Sequence, residues 1–168
     1  MIGRGGELPT ARGTLQFVPT RAFPEITGSD LATLPVGIPH GLSSNSIVTL
    51  GDRVFLKAYR RIRKGVNPEV EIGRFLTEVA QFPNCVPLAG VIEHKDAEGA
   101  VSTLALLQAY VRNQGDGWTY TLEYLARFLD TQRALVEAAP DVHGAYLALI
   151  HTLGVRTAEL HVAFSKGM

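Results

Sequence analysis

The feature that most constrains the fold is an apolar strand carrying one lysine, followed shortly by a clearly signalled helix. Residues 53–59 predict the strand, because apolar and aromatic side chains surround Lys57 there. The helix begins at Asn67, a good N-cap, and Pro68 suits the first helical position. Pro83 ends it. Only a short basic connector joins the strand to the helix, so the two are expected to lie close together.

A β-rich first half precedes an α-rich tail, which predicts an α+β fold with a mainly antiparallel sheet. Strands are expected within residues 14–18, 43–50, 53–59, 86–93 and 102–111, and helices at 67–82, 121–138 and 142–164. Residues 1–13 are rich in glycine and proline and are expected to lack regular structure. Three prolines between residues 23 and 40 predict an irregular connector.

Composition excludes several classes of function. Lys plus Arg equals Asp plus Glu, at 16 each, so no global field favours nucleic acid or an anionic membrane. Cys85 is the only cysteine, which excludes an intrachain disulfide and a cysteine-based metal cluster. No apolar run reaches the roughly 18 residues that a membrane span needs. The N-terminus has no apolar signal region, and we expect a cytoplasmic protein.

Lys57 is the first candidate for a functional residue. Strand alternation places it on one face with Phe55 and Tyr59, and a buried ammonium group needs a compensating partner. Glu71 borders the predicted apolar stripe of the helix and is the candidate partner, while Glu69 borders its other side. Helix geometry alone does not choose between these carboxylates. The alternative is a surface or edge-strand lysine whose stem lies along the sheet.

A short polar loop precedes the strand before Lys57. It contains Ser43, Ser44, Asn45 and Ser46, whose backbone and side chains can donate hydrogen bonds to phosphate oxygens. The loop matches neither a Walker A motif nor G-x-G-x-x-G, and an ordinary polar turn is the alternative.

The basic connector and the histidines carry weaker signals. Nucleic-acid binding by the connector lacks an aromatic platform, so a solvated segment that also touches phosphates is the preferred interpretation. The members of this basic cluster are Lys57, Arg60, Arg61, Arg63 and Lys64. The five histidines are scattered without the spacing of a helical metal pair.

Together these segments resemble a known family. The stretch SSNSIVTLGDRVFLKAYRRIRKGVNPEVEIGRFLTEV is similar to the N-terminal lobe of maltokinases, including those fused to trehalose synthase. The later stretches TLALLQAYVRNQGDGWTYTLEYLARFL and RTAELHVAF are similar to it as well, so the likeness covers residues 14–164. The most specific elements are FLKAYRR, NPEVEIGRFL and NQGDGW.

Maltokinases transfer the γ-phosphate of ATP, with Mg²⁺, to the anomeric hydroxyl of maltose. The resemblance therefore implies a fold like that of aminoglycoside and choline kinases. Residues 1–40 would be an extension, 41–112 the kinase-like N-lobe, and 113–168 the first helices of a truncated C-lobe. In this interpretation Lys57 holds ATP phosphates, Glu71 pairs with it, and residues 43–46 cover the phosphates. The hinge between the lobes would contain Gln108, Tyr110 and Val111.

The chain departs from the family at its catalytic segment. The HGD-type loop and the DFEGEP-like stretch of maltokinases do not occur in these 168 residues. The resemblance thus implies no catalytic residue and no Mg²⁺ ligand here, and we expect this chain alone to be inactive. The alternatives are another small-molecule kinase of the aminoglycoside or choline type, or a non-catalytic nucleotide-binding or partner-binding remnant. The implied partners are ATP, maltose and trehalose synthase, with neither nucleic acid nor membrane.

Overall fold

The computed structural model describes residues 5–39, 43–134 and 142–167. Within them, one antiparallel sheet has seven strands in the order β1-β2-β6-β7-β5-β4-β3. The strands are β1 (Glu7–Thr10), β2 (Gly13–Pro19), β3 (Val36–Gly37), β4 (Ser46–Leu50), β5 (Val54–Ala58), β6 (Leu88–Asp96) and β7 (Val101–Ala109). The α-helices are α1 (Phe23–Thr27), α2 (Pro68–Arg74), α3 (Gly117–Ala134) and α4 (Gly144–Ser165). The predicted α+β class is confirmed.

The chain divides into two units. The first comprises Met1–Val111 with Ala163–Met168, and the second comprises Arg112–Val162. The first unit contains the whole sheet with α1 and α2. Among the described residues, no helix combines the length and the apolar character that crossing a membrane requires.

The N-terminal segment belongs to the sheet. β1 and β2 form a hairpin, and β2 pairs along its whole length with β6, so that Phe17 lies opposite Ile92. The prediction that residues 1–13 lack regular structure is therefore wrong from Glu7 onward. β1 is exposed at every position and gives no alternating apolar pattern from which a strand could be predicted. The expected irregular connector likewise contains α1, whose Phe23 is buried.

The sheet buries apolar side chains on both faces. On one face, α1 contributes Phe23 to a cluster with Val54, Ala89 and Leu107. On the other face, α2 contributes Val70 to a second cluster, with Leu88, Val91 and Leu106. Alternation along β5 sends Val54 toward α1 and the side chain of Lys57 to the face that α2 covers. The central strands thus place one lysine next to a packed helix.

α2 begins where the sequence predicts and buries a different face. The side chain of Asn67 accepts a hydrogen bond from the backbone N–H of Glu69 at 3.0 Å, which confirms the N-cap. A π-helical turn, Phe75–Val79, follows the helix. The spacing of Ile72, Phe75, Leu76 and Val79 at i, i+3, i+4 and i+7 predicts the apolar stripe of this helix. That stripe is wrong in part, because Ile72 and Val79 are exposed.

Gly73 explains why the buried face of α2 differs from the predicted apolar stripe. A Cβ atom built on Gly73 would lie 3.6 Å from the Cβ of Leu88, so the backbone of α2 lies directly over β6 at this residue. The buried residues Val70 and Leu76 flank Gly73 on the same side of the helix. Glycine has no side chain to mark a hydrophobic face, so the pattern of apolar residues alone points to the wrong side.

The second unit contains α3 and most of α4, and both helices were predicted. α3 begins at Gly117, earlier than expected, because the carboxylate of Asp116 caps it. That carboxylate accepts hydrogen bonds from the backbone N–H of Thr119 at 2.8 Å and from its hydroxyl at 2.9 Å. These bonds hold the pKa of Asp116 below its usual value. The predicted break at Pro140 lies outside the described residues.

Candidate functional site

Lys57 and a glutamate of α2 form an ion pair on the face of the sheet that α2 covers. The ammonium of Lys57 lies 2.8 Å from each carboxylate oxygen of Glu69. The side chain of Lys57 is 24% exposed and that of Glu69 is 42% exposed, so the pair lies at the border of the core. β5 lies between β4 and β7, which rules out the alternative of an edge-strand lysine. The ion pair therefore fixes the ammonium group of Lys57 at a place where its side chain is still partly open to solvent.

The expected pairing of Lys57 with Glu71 is wrong. Val70 points into the sheet, and successive helical residues are about 100° apart, so its two neighbours lie on opposite flanks of α2. Glu69 is on the flank toward β5. Glu71 is on the other flank, where it lines a groove of about 610 Å³ with Glu93 and Thr103. Only the direction of α2 across the sheet decides which carboxylate meets Lys57.

Tyr59 is a third member of this site that the sequence analysis did not single out. Its hydroxyl donates a hydrogen bond to Oε2 of Glu69 at 2.7 Å, and the Lys57 ammonium lies 5.6 Å from the centre of its ring. The available signal was its position two residues after Lys57, which puts both side chains on one face. Burial raises the pKa of the Tyr59 phenol well above its usual value, and the hydrogen bond and charge of Glu69 add to this effect.

The polar loop and the basic connector meet at one end of the β4–β5 hairpin. Ser46 begins β4 and pairs with Ala58, the last residue of β5. Residues 43–45, before β4, and residues 59–61, after β5, therefore lie at the same end of the hairpin. Nε of Arg60 donates to the hydroxyl of Ser46 at 3.4 Å. Here a cavity of about 540 Å³ is lined by Ser44, Asn45, Arg60 and Arg61. The structure thus joins the predicted phosphate loop to two arginines.

Hydrogen bonds within the loop shape this cavity. The hydroxyl of Ser43 accepts from the backbone N–H of Asn45 at 3.1 Å, which turns the chain just before β4. The amide group of Asn45 donates to the hydroxyl of Ser44 at 3.3 Å. Gly41 and Leu42, which precede the loop, lie outside the described residues. Ser44 and Asn45 therefore present short polar groups opposite the guanidinium groups.

The charges of the site favour an anion with several negative groups. Arg60 and Arg61 are exposed and line the cavity. Lys57 directly precedes Ala58, the residue of β5 that pairs with Ser46. Glu69 forms an ion pair with Lys57. Guanidinium groups bind phosphate oxygens through paired N–H donors, and an ammonium acts as a point charge. A polyphosphate matches this arrangement chemically.

The connector that carries the arginines is fixed at both ends. The backbone N–H of Tyr59 donates to the carbonyl of Leu104, and that of Gly65 donates to the carbonyl of Val101, each at 2.8 Å. Lys64 also forms an ion pair with Asp96, at the turn between β6 and β7. The contact with Lys64 and a backbone N–H bond from Ala100 hold the pKa of Asp96 below its usual value. These contacts therefore restrain both ends of the segment 60–63, which carries the two arginines of the cavity.

We expect Asp96→Asn to lower the stability of the first unit at neutral pH. Because the pKa of Asp96 is lower in the folded chain, its contribution is present above the unfolded pKa, near 4, and is lost as pH falls through the folded value. The urea midpoints of wild type and variant should therefore differ at pH 7 and converge as the pH falls below the folded pKa of Asp96. Glu98→Gln, in the same turn, is the control. An equal difference at both pH values would contradict this account.

The candidate hinge residues lie at the end of β7. Gln108 pairs with Phe55 of β5, and Leu106 pairs with Lys57, so Gln108 and Lys57 occupy neighbouring rows of one sheet face. The backbone N–H of Tyr110 donates to the carbonyl of Arg53 at 2.8 Å. Val111 is exposed and is the last residue of the first unit before Arg112. The structure therefore places Gln108, one of the predicted hinge residues, on the same sheet face as Lys57.

Part of that surface is not covered by α2. Ile47, Thr49 and Phe55 are half-buried on β4 and β5, on the face of Lys57, while the buried cluster under α2 lies over β6 and β7. This half-open apolar strip continues the row that contains Gln108. A flat apolar group could lie on it with its polar edge toward the end of β7.

The part of the chain that the structure describes contains no group of three or more His, Cys, Asp or Glu side chains that could hold a metal ion. We therefore assign no Mg²⁺ ligand to the described residues.

The fold and the site define an α+β protein in which a lysine of an antiparallel sheet pairs with a glutamate of the helix packed on it. No protein-family model matches the chain.

Proposed function

We propose that this chain is the ATP-binding part of a maltokinase, which phosphorylates maltose to maltose 1-phosphate. The ion pair between Lys57 and Glu69 carries the proposal. In protein kinases a lysine on the third strand of the N-lobe pairs with a glutamate of the following helix and contacts the nucleotide phosphates. Lys57 lies on the third strand of the series β3–β7, and α2 follows that strand directly. This order of elements supports a kinase-like N-lobe.

The phosphates of ATP would lie at the end of the β4–β5 hairpin. Lys57 would contact them from the sheet, Arg60 and Arg61 from the connector, and Ser44 and Asn45 from the loop. The cavity that four of these residues line supports this placement, because it combines two guanidinium groups with hydroxyl and amide donors. The position of Glu69 supports it further, since the carboxylate keeps the ammonium from moving freely.

The adenine base would lie on the half-open strip formed by Ile47, Thr49 and Phe55. Gln108 borders this strip, and the backbone at Tyr110 and Val111 follows it. A base stacked there would bury apolar surface and reach the hydrogen-bonding groups at the end of β7. Such pairing of an apolar floor with a few polar groups is typical of small-molecule sites.

Maltose as the acceptor, and trehalose synthase as a fused or associated protein, follow from the resemblance of the FLKAYRR, NPEVEIGRFL and NQGDGW segments. We assign neither a catalytic base nor a maltose contact to the described residues.

The proposal is tested by the order in which nucleotides bind to the purified chain. We expect affinity to fall from ATP through ADP to AMP, with adenosine weakest, because the site recognises phosphates. Titration calorimetry at two salt concentrations measures this order, and higher salt should narrow the differences between ligands.

The arginine variants sharpen this test. Arg60→Ala combined with Arg61→Ala should weaken ATP about tenfold or more and leave adenosine unchanged, since each charge-assisted hydrogen bond contributes about 1.5–3 kcal/mol. Arg12→Ala combined with Arg21→Ala, which removes two exposed guanidinium groups elsewhere, is the matched control. A chain that binds no nucleotide, or binds ATP and adenosine equally, would overturn the proposed function.

A further inference from the structure

Tyr59 joins the ion pair to the hydrophobic core. Its ring packs against the cluster of Val70, Leu88, Val91 and Leu106. Its hydroxyl reaches out of that cluster to Oε2 of Glu69, at 2.7 Å. The side chain therefore has one end fixed by packing and the other end on the carboxylate that binds Lys57.

The carboxylate of Glu69 contacts both Lys57 and Tyr59. Oε1 accepts one hydrogen bond from Lys57, whereas Oε2 accepts from both Lys57 and Tyr59. Glu69 and Lys57 are flexible side chains, and the pair is partly exposed, so they would otherwise lose rotamer freedom to stay together. A tyrosine side chain has only two rotatable angles before its ring, and here that ring is packed. The rigid donor is thus Tyr59.

The direction of the hydrogen bond follows from the chemistry of the groups. An ionised carboxylate only accepts hydrogen bonds, so the Tyr59 hydroxyl must donate. Burial and the neighbouring carboxylate raise the pKa of the phenol, which keeps it neutral and able to donate throughout the physiological range. The ring also lies 5.6 Å from the Lys57 ammonium, within the range of a cation–π contact.

We propose that Tyr59 is a positioning residue: it orients Glu69 so that both carboxylate oxygens hold the Lys57 ammonium in place for nucleotide phosphates. The inference rests on the proposed ATP-binding function. It adds the residue that directly follows β5 to the lysine–glutamate pair, and makes the hydroxyl of Tyr59, rather than the ring alone, the functional group.

The first measurement needs no nucleotide. The purified chain is labelled with an amine-reactive ester at fixed pH, and the rate at Lys57 is followed by peptide mass spectrometry. An amine held by both oxygens of a carboxylate is less available to the reagent. Tyr59 acts on Lys57 only through Glu69, so Tyr59→Phe should raise that rate about three- to tenfold, the size of one hydrogen bond of ordinary strength. Glu69→Gln is the positive control and Glu71→Gln the negative control. Lys95, on the exposed part of β6, reports general accessibility.

The second measurement is ATP affinity by calorimetry. Tyr59→Phe keeps the ring and its packing, so the fold should persist, and ATP should bind about three- to tenfold more weakly. Tyr120→Phe removes an exposed phenol hydroxyl in the second unit and should change neither result. Unchanged labelling of Lys57 in Tyr59→Phe would overturn the proposal, and so would faster labelling with unchanged ATP affinity. If wild type binds no ATP, the proposed function itself fails, whatever the labelling shows.

Discussion

Replacing Lys57 with methionine is expected to weaken ATP binding by at least about tenfold, since hydrogen bonds to charged groups contribute about 1.5–3 kcal/mol each. Methionine keeps a similar length and apolar stem, so the change removes mainly the ammonium group. The fold should survive, because Glu69 is 42% exposed and stays hydrated without its partner. Partly exposed ion pairs stabilise proteins by only about 0–1 kcal/mol. The effect on binding should therefore far exceed the effect on stability.

A lysine elsewhere on the sheet provides the control. Lys95→Met removes an exposed ammonium from β6 and should leave ATP affinity unchanged. In wild type, saturating ATP should also protect Lys57 from an amine-reactive reagent and leave Lys95 unprotected. If Lys57→Met binds ATP as tightly as Lys95→Met does, Lys57 has no contact with the phosphates and the proposed site is wrong.

Replacing Leu106 with alanine is expected to destabilise the first unit by about 2–5 kcal/mol, the range for large-to-small changes in a packed core. Leu106 is only 1% exposed, and it belongs to the cluster under α2. It lies opposite Lys57 in the register of β5 and β7. The cavity left by the substitution would adjoin both the floor of the site and the helix that carries Glu69.

Urea denaturation followed by circular dichroism measures this change. Leu8→Ala is a suitable control, because Leu8 is 41% exposed on edge strand β1 and its loss leaves no buried cavity. The midpoint should fall strongly for Leu106→Ala and little for Leu8→Ala. Similar midpoints for the two variants would mean that the α2 face is not a packed core.

Local signals in the sequence were sufficient to predict where α2 begins and on which face of the sheet Lys57 lies. Asn67 and Pro68 determine the helix start through their own backbone preferences, and alternation along β5 places Lys57 with Tyr59. The sequence could not predict that Glu69 rather than Glu71 pairs with Lys57, because the two glutamates lie symmetrically about Val70. That choice depends on the direction of α2 across the sheet, which Gly73 and Leu88 set by close approach.

Contacts between distant segments account for the remaining differences. The ion pair of Lys64 with Asp96 joins residues 32 positions apart, and no local pattern links them. The same holds for Arg60 and Arg61, which meet Ser44 and Asn45 only because β4 and β5 pair in one register. β1 was missed because an exposed edge strand needs no apolar alternation. Sequence patterns thus singled out the polar loop and the basic connector, whereas strand pairing determines that the two lie together.

The pairing of β2 with β6 has a consequence for the order of events during synthesis. The β1–β2 hairpin leaves the ribosome before β6, the partner of its inner edge, which ends at Asp96, 77 residues after Pro19. At about 5–20 residues per second, that edge waits about 4–15 s for its partner. Until then the nascent chain has a complete hairpin with an open side. Residues 20–87, which carry Lys57 and Glu69, are enclosed in a loop that closes only when β6 arrives.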